Sequence, residues 1–180
     1  PIDINATGID LLALSAHKCH GPPGIGALVM RRGLVRLRPL MHGGGQERGL
    51  RPGTLAPHQI VGFAAAVRRL QVCADAPDRV RALREHLWAG LSRIPGVIRN
   101  GQPQSTAPHI LNATFAGLNG ESLLFGLPGL MVSQGSACTS GGQESSYVLR
   151  ALGRSDAEAR ASLRLSLGRT TTVAEIDAAV

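Results

Sequence analysis

The stretch LLALSAHKCHGPPGIGALVM (Leu11–Met30) constrains the fold of this chain more than any other. It sets two short apolar runs on either side of a segment containing Gly21, Pro22, Pro23 and Gly24. Proline removes a helical hydrogen bond and clashes with the preceding turn, and glycine weakens any regular element. The middle segment therefore reads as a loop between two strands. Apolar runs without polar alternation mark strands covered on both faces. Ile9–Leu14 is thus expected to be a buried strand and Ile25–Met30 the next, in a sheet of the parallel type.

The same loop holds Lys18, the only lysine among 19 Lys and Arg residues. The net charge of +7 raises the question of a nucleic-acid partner. The arginines are scattered, however, and three Phe, one Trp and one Tyr make no stacking platform. Arginine used in place of lysine throughout explains the arginine excess, and no nucleic-acid binding is expected. No apolar run reaches the roughly 18 residues of a membrane span, and no signal-peptide pattern opens the chain. Cys19, Cys73 and Cys138 have no CxxC spacing, which argues against a disulfide framework or a zinc ribbon. A reducing, cytoplasmic setting fits them.

The 180 residues suit one domain or one and a half. The chain opens on Pro1 and stops within a helical pattern, so a piece of a longer protein is expected. Ile60, Val61, Ala64, Val67 and Leu70 give Pro57–Val72 a helical spacing. Cys73–Arg79 reads as a boundary. A second helix is expected over Asp78–Ser92, with Val80, Leu83, Leu87 and Leu91 on one face. Beyond it GVIRN, HILNATF, LMVS and SLRLSL read as short strands, with helices near Glu121–Leu127 and Ser145–Leu152. This is an α+β pattern with a small antiparallel sheet. Ser155 with Glu158, and Thr172 with Glu175, have capping-box spacing.

Three positions invite chemistry. A lysine at the end of a buried strand could lose its charge by burial, and a neutral amine condenses with an aldehyde. Ser15, His17 and His20 beside it could hold a phosphate. Pyridoxal 5'-phosphate (PLP) has both groups, but a solvated loop lysine satisfies the same pattern. Zinc held by His17, Cys19 and His20 is weaker, because adjacent residues in a Pro-Gly loop rarely converge on one ion. Cys138, within SQGSACTSGG, sits in a segment too small and polar to pack a core, so it is either a reactive thiol or an incidental one. Arg164 alternates with Leu163 and Leu165, and therefore shares a face with Ser166. It either binds an anion such as a carboxylate or faces solvent.

Taken in order, SAHKCHGPPGIGAL, MHGGGQERGLRPGT, GSACTSG, SSYVLRALG and SLRLSLGRTTT resemble the successive motifs of the cysteine desulfurases of the NifS/IscS group. The resemblance covers the whole chain but only the C-terminal part, about half, of a family member. It implies an α/β PLP-dependent enzyme of fold type I, truncated, and homodimeric. Residues 1–74 would be the end of the large PLP domain and 75–180 the small α+β domain carrying the cysteine loop. The activity implied is conversion of L-cysteine to L-alanine, leaving a persulfide that is passed to an acceptor such as an iron–sulfur scaffold protein or used in tRNA thiolation. Lys18 would bind PLP as a Schiff base, Ser15 and His17 its phosphate, and Thr54 the phosphate in the partner subunit. Cys138 would attack the substrate sulfur, and Arg164 would hold the substrate carboxylate. Cys19 and His20 depart from the bulky apolar residue and aromatic usual after the lysine, and GPPG stands where GPKG is frequent. A selenocysteine lyase or aminotransferase on the same fold, or an inactive truncated paralogue, are the alternatives. Arginine stays protonated and forms no Schiff base, so it cannot replace Lys18. The 180 residues alone are expected to be inactive.

Overall fold

The computed structural model describes residues 2–33, 36–73, 76–134 and 145–180. The chain divides into two compact units, Pro1–Ala74 and Asp75–Val180.

In the first unit a single turn, α1 (Ile4–Thr7), is capped by Asp3, whose carboxylate accepts from the Asn5 and Ala6 amides. β1 (Leu11–Ser15) and β2 (Gly26–Met30) pair antiparallel, Leu11 opposite Met30 and Ser15 opposite Gly26. This corrects the parallel arrangement expected from the sequence. Apolar runs look alike in both kinds of sheet, and a 10-residue connection spans only a hairpin. The burial expected of these strands is also not found: Leu12 and Leu14 are half-buried, and Leu11 and Leu28 are exposed. Two strands cannot cover both of their own faces. The connection was expected to be a plain loop, but Ala16–Cys19 forms one turn of 3-10 helix. The prolines come after that turn and do not disturb it.

α2 (Pro57–Val72) carries proline at its first position, where no helical partner is lost. It seats the hairpin connection. The Gln59 side-chain amide donates to the Pro23 carbonyl at 2.9 Å, and Pro22 lies against Gly62.

The second unit holds an antiparallel sheet of β3 (Val97–Arg99), β4 (Ile110–Phe115) and β5 (Ser162–Ser166), in the order β3-β4-β5. Leu111, Leu163 and Leu165 point to one face. They pack with Val80, Leu83, Leu87 and Leu91 of α3 (Ala76–Leu91), and with Ile176 of α7 (Val173–Ala179). Each of these buried side chains is worth roughly 1.5–3 kcal/mol. The short helices α4 (Gly120–Phe125), α5 (Tyr147–Ala151) and α6 (Asp156–Arg160) lie between the strands in sequence. Both capping boxes read from the spacing form, at Ser155 with Glu158 and at Thr172 with Glu175. LMVS, expected to be a strand, contributes only a single bridge, Ser133 to Arg164. Pro128 and Gly129 precede it and limit any longer pairing.

Under α3 lies a charged cluster. Arg84 is 1% exposed and donates to the carbonyls of Pro103, Thr106 and Ala107. Glu85 pairs with Arg84 at 2.7 Å and takes both Arg99 amino groups, at 2.7 and 2.8 Å. The Arg99 hydrogen bonds foremost, with Arg84 adding, hold the Glu85 carboxyl at about 2 against an ordinary 4.5, while burial opposes the shift. No helix among the described residues is long and apolar enough to cross a membrane.

Candidate active site

Ser15 is the last residue of β1 and the N-cap of the 3-10 turn, yet its hydroxyl makes no capping hydrogen bond. His17 and Lys18 lie within that turn, and all three side chains are exposed. The main chain beneath them is closely tied. Ala16, fully buried, donates its amide to Ile25 O at 3.0 Å, and its carbonyl accepts from Gly21 N at 2.9 Å. His20 leaves the turn at φ 61°, in the left-handed region. Gly26 closes the hairpin, where a Cβ would fall 2.5 Å from the Leu14 carbonyl. The result is a fixed tip presenting one hydroxyl, one imidazole and one amine. The burial of Lys18 expected from the sequence is not supplied by the described residues.

Thr54 follows a glycine-rich loop in the same unit and is exposed. Glu47 and Arg48 adopt φ of 50° and 59°, a conformation costly for side chains other than glycine. The Gln46 side-chain oxygen accepts from Gly53 N at 3.2 Å, and Arg51 donates to Gly53 O at 3.2 Å. Gly53, which leads into Thr54, is thus held through both its amide and its carbonyl. No hydrogen bond joins Thr54 to Ser15, His17 or Lys18 among the described residues.

Arg164 belongs to the second unit. It is half-buried on β5, on the face away from the leucines, as the alternation requires. Its guanidinium has no hydrogen-bond or ion-pair partner among the described residues, although its main chain bridges Ser133. Cys138 lies outside the described residues. Cys19 and Cys73 are free and half-buried.

Sequence comparison identifies the family. The aminotransferase class-V model matches residues 1–179. The chain belongs to the class-V aminotransferases. Among members of this family it is 54% identical, over 182 residues, to a cysteine desulfurase IscS of Proteus mirabilis (strain HI4320), covering 100% of this chain and 45% of that protein. A solved NifS-like protein superposes with a TM-score of 0.85 at 34% identity, over 99% of this chain and 46% of that one. SspA, solved in complex with cysteine, gives a TM-score of 0.69 at 34% identity, over 95% of this chain and 47% of that one. The fold is accordingly a truncated part of the type I fold of the NifS-like proteins. The chain spans about half the length of the relatives it matches.

Sequence reading passed over two groups of residues that matter to these positions. Gln46 and Arg51 fix the approach to Thr54, and Asn112 stands opposite Arg164 with Asn100 and Arg154 hydrogen-bonded in turn on its other side. Neither group forms a recognisable motif, because both depend on pairing across loops and strands.

Proposed function

We propose that the protein to which this chain belongs is a PLP-dependent cysteine desulfurase. It would take L-cysteine to L-alanine and pass the sulfur, through a persulfide on Cys138, to an acceptor protein such as an iron–sulfur scaffold. The observation carrying the reading is the tip after β1, where Ser15, His17 and Lys18 stand exposed on a tied main chain, in a chain 54% identical to a cysteine desulfurase. The donor set fits PLP. Ser15 has a hydroxyl unused in capping, His17 offers a ring nitrogen to a phosphate, and Lys18 is the only lysine of these 180 residues with which an aldehyde could condense.

When bound, PLP supplies an electron sink for charge developing at the substrate Cα. Arg164 contributes a planar cation matched to a carboxylate and fixes which end of the amino acid is held. The Cys138 thiolate attacks the substrate Sγ. A sulfur–sulfur bond forms, the Cβ–Sγ bond breaks, and the carbon keeps that electron pair and takes up one proton to become alanine's methyl group. Thr54, on its fixed loop, would reach a phosphate in a partner subunit, which makes the working form a homodimer. Three cysteines without a pairing pattern suit a reducing, cytoplasmic location.

The test is borohydride reduction of the full-length protein followed by peptide mapping. The cofactor is expected on Lys18, and Lys18→Ala is expected to lose the bound chromophore and all sulfide release. Cys138→Ser is expected to keep PLP and lose sulfide. Cofactor trapped at another residue, or full turnover by Cys138→Ser, overturns the assignment.

A further inference from the structure

We propose that Asn112 is a second ligand for the substrate carboxylate, its amide held donor-outward beside Arg164 by a relay that begins at Arg154. The inference rests on the reading that Arg164 binds that carboxylate.

The argument starts from register. Asn112 of β4 stands opposite Arg164 of β5. Arg164 donates its own amide to Ser133 O at 2.6 Å and accepts from Ser133 N at 3.2 Å. Its main-chain groups therefore point away from β4, and Asn112–Arg164 is a non-hydrogen-bonded pair. In such pairs the Cα atoms approach to about 4.5 Å and the facing side chains come closest. Both residues lie on the face opposite the buried Leu111, Leu163 and Leu165, and both are half-buried.

Hydrogen bonding then sets the direction of the amide. Arg154 Nε donates to Asn100 Oδ1 at 2.6 Å. A guanidinium has only donors, so the oxygen of Asn100 faces it and the nitrogen faces the other way. That Asn100 nitrogen donates to Asn112 Oδ1 at 2.7 Å and to Thr114 Oγ1 at 2.9 Å. Asn112 must then present its oxygen to Asn100. Its Nδ2, with two donors, has no protein partner among the described residues. The neighbouring rung is fixed as well. Thr114 and Ser162 are fully buried, their hydroxyls lie 2.8 Å apart, and Ser162 donates to Glu158 O at 2.7 Å.

Two unpartnered donor groups, one of them charged, thus sit side by side on a rigid rung. Neither donor group is among the buried unpartnered atoms, so both are open to solvent and to an incoming ligand that takes the place of water. A carboxylate has two oxygens and about four lone-pair sites, enough for the guanidinium fork and one amide edge together. Arg164 supplies the charge, and Asn112 supplies orientation. Asn100 and Arg154 are positioning residues that act through Asn112.

The test uses the full-length protein carrying Asn112→Asp, which keeps an oxygen for Asn100 and turns the donor into a negatively charged acceptor. KM for L-cysteine is expected to rise about 10- to 100-fold, the cost of losing a hydrogen bond to a charged group, with kcat within about threefold. Inhibition by cysteamine, which keeps the amine and thiol and lacks the carboxylate, is expected to stay unchanged; a merely structural lesion would weaken both. Asn112→Thr suits a strand, removes the donors without adding charge, and is expected to raise KM in the same direction if the Asp variant fails to fold. An unchanged KM in these variants, or equal loss toward cysteamine, overturns the role of Asn112. Arg164→Gln, measured in parallel, separates the two readings. If it raises KM while the Asn112 variants do not, only the role of Asn112 falls. If it leaves KM unchanged, the carboxylate reading of Arg164 falls and takes this inference with it.

Discussion

Among the described residues of the first unit only Ala16 and Phe63 are buried apolar side chains, whereas the second unit buries a cluster running from Val80 to Ile176. In the first, Leu40, Met41, Val61 and Val72 are all more than half exposed. Both units contain helices of 16 residues with apolar residues at helical spacing. What differs is the surface available to receive them. α3 lies over a three-stranded sheet whose leucines face it, and α2 has a two-stranded ribbon. An apolar face that finds no cover within its own unit marks a surface built for contact with something else.

The largest expected effect comes from separating the units. Residues 76–180 expressed alone should unfold in one cooperative transition followed by circular dichroism, and residues 2–73 should show none. A cooperative transition in the first piece would break the comparison. The 180-residue chain supplied with PLP and L-cysteine is expected to release no sustained sulfide. Next in size, Leu87→Ala in the second core should cost about 3 kcal/mol by urea titration, against less than about 0.5 kcal/mol for Val61→Ala in the first unit. Equal costs would mean that the first unit has a core of its own.

Glu85→Gln should cost about 1–2 kcal/mol, since it leaves the buried Arg84 guanidinium without its counter-charge and 41% of the Glu85 side chain already faces solvent. The Glu85 pKa is lowered in the fold. Its contribution is therefore complete above the ordinary value of 4.5 and is lost as the pH falls toward about 2. Wild-type stability should drop through that window more steeply than that of Glu85→Gln. Parallel slopes would remove Glu85 from the account. Smallest, Thr172→Ala should cost about 1 kcal/mol by loss of the α7 cap, measured by thermal melting.

Local rules were legible wherever the partners lie close in the chain. The capping boxes at Ser155 and Thr172 and the extent of α2 follow from spacing over three or four residues. The pairing of β1 with β2 did not, because a doubly covered strand and a hairpin strand use the same leucines and valines. The exposure of Lys18 was hidden for a related reason: burial depends on what packs over a loop, and the loop's own residues do not specify it. Asn112 is the sharpest case. One asparagine in HILNATF carries no motif, and only the register against Arg164, with Asn100 and Arg154 on its other side, gives it a meaning. Cys138 was read from its small, polar neighbours and lies outside the described residues.

The tied turn around Ala16 has an entropic consequence. Two main-chain hydrogen bonds on one buried alanine, with Pro22 seated on α2, hold the backbone of Lys18 before any ligand arrives. Ordering a free loop costs roughly 1–2 kcal/mol for each residue fixed, and restricting one lysine side chain about 2 kcal/mol in all. A ligand engaging Lys18 therefore meets a target that has already lost most of its freedom. More of the contact energy is then left for affinity.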